Sequence, residues 1–167
     1  MSVKLSDYSI QVKEALNDIT INWLYESGNA VESRAKRGCK MDGQEGTRLS
    51  GSYKNVVDEG AGEAMIGSPL ESVYWEEFGT GSHAAHGDGR KGWWVYVKNG
   101  ESRKKTGRTY STQAEAEETA EFLRKVKKLD AYATNGRDPN YTLEKAFKGA
   151  APNAKRRLEQ MLKEGMK

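Results

Sequence analysis

Cys39 is the one cysteine in 167 residues, so an internal disulfide is excluded and thiol content gives no sign of an oxidising compartment. No apolar run approaches the roughly 20 residues that a membrane span needs. The opening "MSVKLSDYSI" is too polar for a signal peptide, so the expectation is a soluble protein made in a reducing cytoplasm. There is no internal repeat. Hydrophobic residues are also scarce, 36% against 31% charged, which leaves a modest interior under a polar surface. The length suits a single domain over 1–167 with its own core. So thin a core favours an elongated shape, or a subunit that completes its burial in an oligomer.

Charge of one sign is missing over long stretches. Between Asn55 and Gly89 there are seven acids and no lysine or arginine. From Arg90 to Arg108 there are seven basic residues against Glu101 alone. Such segregation gives the molecule a negative and a positive side.

What is present reads as α+β, a small antiparallel sheet packed by a long N-terminal helix, an inserted helix and a C-terminal helix. Leu5, Tyr8, Val12, Leu16, Ile19, Trp23 and Val31 recur at helical spacing, with Ser6 able to cap and Gly28 placed to kink or end the helix. A long helix is therefore predicted over 1–38. The glycine-rich "GCKMDGQEGTRLSG" predicts a flexible loop over 39–52. A β-sheet region with a short helix follows over 53–111. In it, strands near 53–58 and 63–67 form one hairpin, and Val73–Phe78 forms a helical turn ended by Gly79. Trp93–Val97 and a return strand between Ser102 and Tyr110, turning at Asn99-Gly100, form a second hairpin. Thr112 and Glu115 make a capping box for a helix inserted over 112–134, with Ala116, Ala120, Leu123, Val126 and Leu129 on its apolar stripe. The C-terminal helical region, 140–167, is expected to break at Pro152.

The densest chemistry is "YWEEFGTG", Tyr74 to Gly81. A glycoside hydrolase reading would use Glu76 and Glu77, but such enzymes need two carboxylates facing each other about 5 to 9 Å apart. Sequence neighbours point about 100° apart on a helix and to opposite faces on a strand, so these two cannot flank one sugar. His83, His86 and Asp88 offer two imidazoles and one carboxylate, short of a closed zinc site, and they lie in a glycine-rich loop. Cys39 lacks a matched histidine. "GTGSHAAHG" follows a helical turn and lacks the lysine of a phosphate loop. No metal or cofactor is therefore expected. Nucleic-acid binding is the alternative, through the basic segments 102–108 and 155–157 with Tyr96 and Tyr110 for stacking, although the motifs of common binding folds are absent.

The order of elements is more informative than any single residue. "GTRLSGS", two short strands ending in "IGS", "YWEEFGTG", a tryptophan-rich strand and "TNGRDPNYTLEKAF" before a terminal helix together resemble the head–tail joining or tail-completion (neck) proteins of long-tailed bacteriophages. Leu49 and Ser52 match the first signature of that family. Tyr74, Glu77, Gly79 and Thr80 match the second, and Gly136, Pro139, Tyr141, Leu143 and Ala146 the third. The chain departs from the pattern at Gly46-Thr47, where Thr-Gly is usual, at Trp75, in lacking a proline after the first helix, and in the inserted helix.

The resemblance implies a minor structural protein, not an enzyme. It implies a ring, often of six copies, in the virion neck between the head connector or adaptor and the tail tube or tail terminator, assembled in the cytoplasm of a bacterial host. DNA would only pass through the lumen. On this reading Tyr74, Trp75 and Phe78 pin the short helix to the sheet and Gly79 ends it. Glu77 accepts hydrogen bonds from loop backbone or pairs with a basic residue, while Glu76 faces a neighbouring subunit. The charge segregation would join copies, with Glu71 and Glu76 on the acidic side and Arg103, Lys104, Lys105 and Arg108 on the basic side.

Overall fold

A computed structural model describes residues 9–40, 43–99 and 102–165, and within these the side chains of 9–11, 43–45, 99 and 102–106 are not described. Leu5, Ser6 and Tyr8 of the predicted first helix, and the turn at 100–101, lie outside the described residues. The fold is α+β, with five helices and short antiparallel sheets among the described residues. Its contacts gather into two compact units, 1–38 with 52–68 and 143–167, and 39–51 with 69–142.

In the first unit, helix α1 (Ser9–Gly38) would span about 45 Å at 1.5 Å per residue. It continues through Gly28, which therefore does not end it. The reason is packing: Gly28 lies on the buried stripe with Leu24, Val31 and Ala35, and the Asn55 carboxamide occupies the space a Cβ would need, 2.3 Å away. Val12 and Leu16, expected on the apolar face, are exposed. Strands β1 (Lys54–Asp58) and β2 (Glu63–Gly67) form the predicted hairpin and lie on α1. Glu32 on the helix accepts a hydrogen bond from the Asn55 main-chain N–H at 2.6 Å, tying hairpin to helix. That bond and the Lys36 ammonium hold the Glu32 carboxyl below its ordinary pKa, the lysine being the larger cause.

Helix α5 (Thr142–Gly165) runs antiparallel to α1, with Gly149 close to Arg34 and Gly165 close to Ile19. Trp23 Nε1 donates to the Ala154 carbonyl at 2.7 Å, and Arg157 pairs with Glu26 at 2.8 Å. The helix is continuous across Pro152, so the expected break does not occur. Proline there removes one main-chain donor, while Gly149 before it lies close to Arg34 of α1, and Ala154 and Arg157 beyond it bond to Trp23 and Glu26.

The second unit holds most of α2 (Gly43–Ser52), in the segment expected to be a flexible loop. Glycine content misled the prediction. Gly46 and Leu49 are buried at a spacing of three, which gives the short helix an inner face despite its weak propensity. Strand β4 (Trp93–Asn99) is the centre of a three-stranded antiparallel sheet, flanked by β5 (Ser102–Tyr110) and β6 (Asp130–Thr134). Helix α4 (Gln113–Lys127) covers one face. Val95, Tyr110, Ala116, Ala120 and Ala131 form the core there, with Trp93, Val97 and Leu123 packed around it. The predicted insertion is thus a helix only to Lys127. Lys128 adopts a left-handed conformation (φ 53°) that ends it, and the rest returns as β6 on the free edge of β4. The apolar stripe also stops early, since Val126 and Leu129 are exposed.

The capping box of α4 forms as expected. Thr112 Oγ1 accepts from the Glu115 N–H, and the Glu115 carboxylate accepts from the Thr112 N–H. Thr112→Ala is expected to lower stability by about 1 kcal/mol in chemical denaturation, and Thr112→Ser by much less.

Candidate functional site

Glu71 to Phe78 fold as helix α3, and Gly79 ends it with φ 73°, its N–H donating to the Trp75 carbonyl at 3.0 Å. Two short strands then meet: β3 (Thr80–Gly81) pairs with β7 (Gly136–Arg137). The approach is close enough to demand glycine. A Cβ on Gly79 would fall 2.6 Å from the Arg137 carbonyl oxygen and 2.8 Å from the Pro139 nitrogen, and one on Gly136 would fall 2.0 Å from the Thr80 carbonyl oxygen. Beyond β7 the chain runs under the end of α3. The Asn140 and Tyr141 N–H groups donate to the Glu76 and Glu77 carbonyls at 2.9 and 3.1 Å, satisfying acceptors that a helix end leaves open. Tyr141 takes φ 51° to do so, an uncommon conformation for a bulky residue. The second and third signatures of the resemblance are therefore one structural corner.

Glu76 is the centre of that corner. Its side chain has no exposed surface. Oε1 accepts from the Lys40 main-chain N–H at 2.9 Å and from Asn140 Nδ2 at 2.7 Å. Arg137 Nη2 lies 2.9 Å from Oε2, an ion pair whose angle falls outside hydrogen-bond geometry, so Oε2 is held by charge alone. Asn140 Nδ2 also reaches Thr142 Oγ1 at 2.7 Å, and both residues are buried.

These facts revise several expectations. Glu76 cannot face a neighbouring subunit, because it is enclosed. It accepts loop hydrogen bonds and pairs with a basic residue, the kind of role expected of Glu77. Glu77 is also buried, and its main chain holds Tyr141. Tyr74 and Trp75 do not pin the helix, being 48% and 41% exposed; Phe78 alone is partly buried, against Tyr74 and His86.

Of the other signature residues, Leu49 is buried on α2, and Ser52 Oγ lies 2.7 Å from Ser68 Oγ. Ala146 is buried on α5, with Leu143 partly so. Glu71 and Arg108 are exposed, the latter with its guanidinium 5.1 Å from the Tyr110 ring centre. Arg103, Lys104 and Lys105 pair through their backbones with Lys98, Val97 and Tyr96, but their side chains lie outside those described. His83 Nδ1 sits 2.7 Å from Asp138 Oδ1 and Nε2 3.2 Å from Asn135 Oδ1, so both ring nitrogens face the 135–138 turn. Among the described residues, no cluster of three or more His, Cys, Asp or Glu is placed to hold a metal ion.

The same segment borders a cleft of about 580 Å³, walled by Tyr74, Trp75, Trp94, Tyr96, Arg90 and Arg137. Arg90 lies 5.1 Å over the Trp94 ring, while its guanidinium donates to the Arg108 carbonyl at 2.9 Å and to Thr109 Oγ1 at 2.7 Å. Tyr96 stacks on Tyr132, centroids 5.5 Å apart, on the sheet face away from α4. Asp88 and Glu76 also line the cleft, the Glu76 side chain without exposed surface. The arrangement can stack a planar group and hydrogen-bond an anion, and it presents no opposed pair of free carboxylates.

Arg137 and Asn140, the two residues that define the corner, went unmarked in the sequence. Their signal was "NGRDPN", which reads as turn punctuation. No described helix is long and apolar enough to cross a membrane. In comparisons with known proteins, no family model matches the chain, and neither does any curated protein or solved structure.

Proposed function

We propose that this protein is a virion assembly subunit, a head–tail joining or tail-completion component that forms a ring in the neck of a long-tailed phage. The observation that carries the reading is the engagement of Glu76. The most chemically suggestive acid of the chain is buried and committed to Lys40, Asn140 and Arg137, which makes "YWEEFGTG" a structural corner. Two motifs of the resemblance, far apart in sequence, meet there through β3 and β7. A buried carboxylate held on both oxygens has no free face for a substrate.

Neighbours in such a ring would be further copies of the chain, with the head connector or adaptor on one side and the tail tube or terminator on the other. Negative-stain microscopy of the purified protein, with its mass in solution, is expected to show concentration-dependent rings and no polysaccharide turnover. Cleavage of a polysaccharide, lost with Glu76→Gln, would overturn the reading.

A second reading has its own observation, the Tyr96–Tyr132 stack beside Arg90 and the basic strand β5. Base stacking on aromatics beside cations is the recipe for single-stranded nucleic acid. That reading requires oligonucleotide affinity falling steeply with salt. Finding it would displace the ring.

A further inference from the structure

Each unit carries an exposed apolar patch, and the two patches have opposite charge. In the first unit the outer face of the β1–β2 hairpin shows Val56 and Met65, which pair directly across the ladder and are 56% and 61% exposed. The next pair on that face, two residues along, is Asp58 and Glu63, both exposed. Like charges directly opposite each other destabilise a hairpin. The Asp58 carboxylate accepts the Ala61 N–H in the turn at 2.9 Å, but Glu63 has no such local use. An apolar pair beside a repelling acid pair is poor design for an isolated hairpin and good design for meeting a cation-rimmed surface.

That surface exists in the second unit. Phe122 and Val126, one turn apart on α4, are 53% and 58% exposed, and Leu129 follows at 41%. Lys125, Lys127 and Lys128 surround them, all exposed. Glu121 pairs with Lys125 at 3.0 Å, which leaves Lys127 and Lys128 as the excess charge at the end of the helix. The apolar side chains of α4 that do face its sheet, Ala116, Ala120 and Leu123, lie about 100° round the helix from the Phe122/Val126 pair.

We infer that the occupant of each patch is the other patch on a second copy of this chain. The Val56/Met65 face of one copy would seat on the Phe122/Val126 face of the next, with Asp58 and Glu63 against Lys127 and Lys128. Two different complementary surfaces on one chain make a heterologous, head-to-tail contact, the kind that propagates into rings or filaments. The apolar centre supplies the affinity, and the charged rim sets register and encounter rate. The inference rests on the ring reading and sharpens it. The acidic side stays within 55–89, but the basic side moves from the β5 strand to the end of α4, where cations flank exposed apolar groups.

The test uses full-length protein and two single variants, Met65→Asp and Phe122→Asp. Both positions are exposed, and circular dichroism checks that each variant folds. Sedimentation velocity across a wide concentration range should show wild-type oligomers, with association weakened roughly tenfold or more in each variant. An equal mixture of the two variants should form dimers and stop there, since each retains one intact patch. In a Cys39→Ser background, Met65→Cys mixed with Phe122→Cys should cross-link between copies, while neither variant should cross-link to itself. Oligomers unaffected by the variants, or self-linking at either position, would overturn the inference and leave the ring reading standing. A wild-type protein that stays monomeric, with no cross-link between the Met65→Cys and Phe122→Cys variants, would also overturn it. The ring reading fails separately, through turnover or salt-sensitive nucleic-acid binding.

Discussion

Glu76→Ala is expected to lower the free energy of unfolding by about 3 to 5 kcal/mol, among the largest effects available to a single residue here. The loss is not that of one contact. Removing the carboxylate takes the acceptor from the Lys40 N–H and from the buried Asn140 Nδ2. It also leaves Arg137 without its ion pair, although its side chain is 37% exposed and can turn to solvent, which reduces that part of the cost. Glu76→Gln keeps the shape and one acceptor and should cost less, about 1 to 2 kcal/mol. Glu71→Ala, at an exposed position on the same helix, should fall within about 0.5 kcal/mol of wild type. Urea denaturation of the four proteins provides the comparison. If Glu76→Ala were as mild as Glu71→Ala, the corner would not be held by this carboxylate, and the argument against a catalytic role would lose its foundation.

Gly136→Ala is expected to prevent β3 from pairing with β7 and to cost more than about 3 kcal/mol. Two effects act together. At φ 130° the residue occupies backbone space that side-chain-bearing residues rarely enter, and the new Cβ would sit 2.0 Å from the Thr80 carbonyl oxygen and 2.9 Å from the Gly81 Cα. These neighbours are main chain, so no rotamer change relieves the contact. Gly62 separates the two effects, since it has φ 68° with open space around its Cβ position. Gly62→Ala should therefore cost only the conformational strain, about 1 kcal/mol. Thermal unfolding of both variants tests the difference. Near-ultraviolet circular dichroism should show that Gly136→Ala also loosens Trp94, whose ring lies against Gly81. Equal shifts in the two variants would mean that the close approach of β3 and β7 is not maintained in solution.

Where local chemistry governs, the sequence was sufficient. The apolar rhythm after Ile19, the alternation in "WWVYV", the Thr112–Glu115 box and Gly79 after an aromatic helix each act within a few residues, and each led to the observed element. The α+β class and both hairpins followed from such signals. The segments that misled it are those whose state depends on distant partners. Segment 43–52 is glycine-rich and helical because Gly46 and Leu49 have an interior to face. Residues 130–134 are a strand because β4 offers an open edge, and Gly28 is helical because Asn55 fills the space above it.

The identity of the acid at the centre of the corner belongs to the same category. Nothing within "YWEEFGTG" distinguishes Glu76 from Glu77 as the carboxylate that Lys40, Arg137 and Asn140 engage. The distinction comes from Lys40, Arg137 and Asn140, which reach the site from remote parts of the chain and converge on one carboxylate. Likewise, the period of α4 marks Leu123, Val126 and Leu129 equally, and only the extent of the three-stranded sheet leaves the latter two uncovered. Periodicity tells which side chains share a helix face. How far the opposing surface extends along that face is a property of the assembled chain.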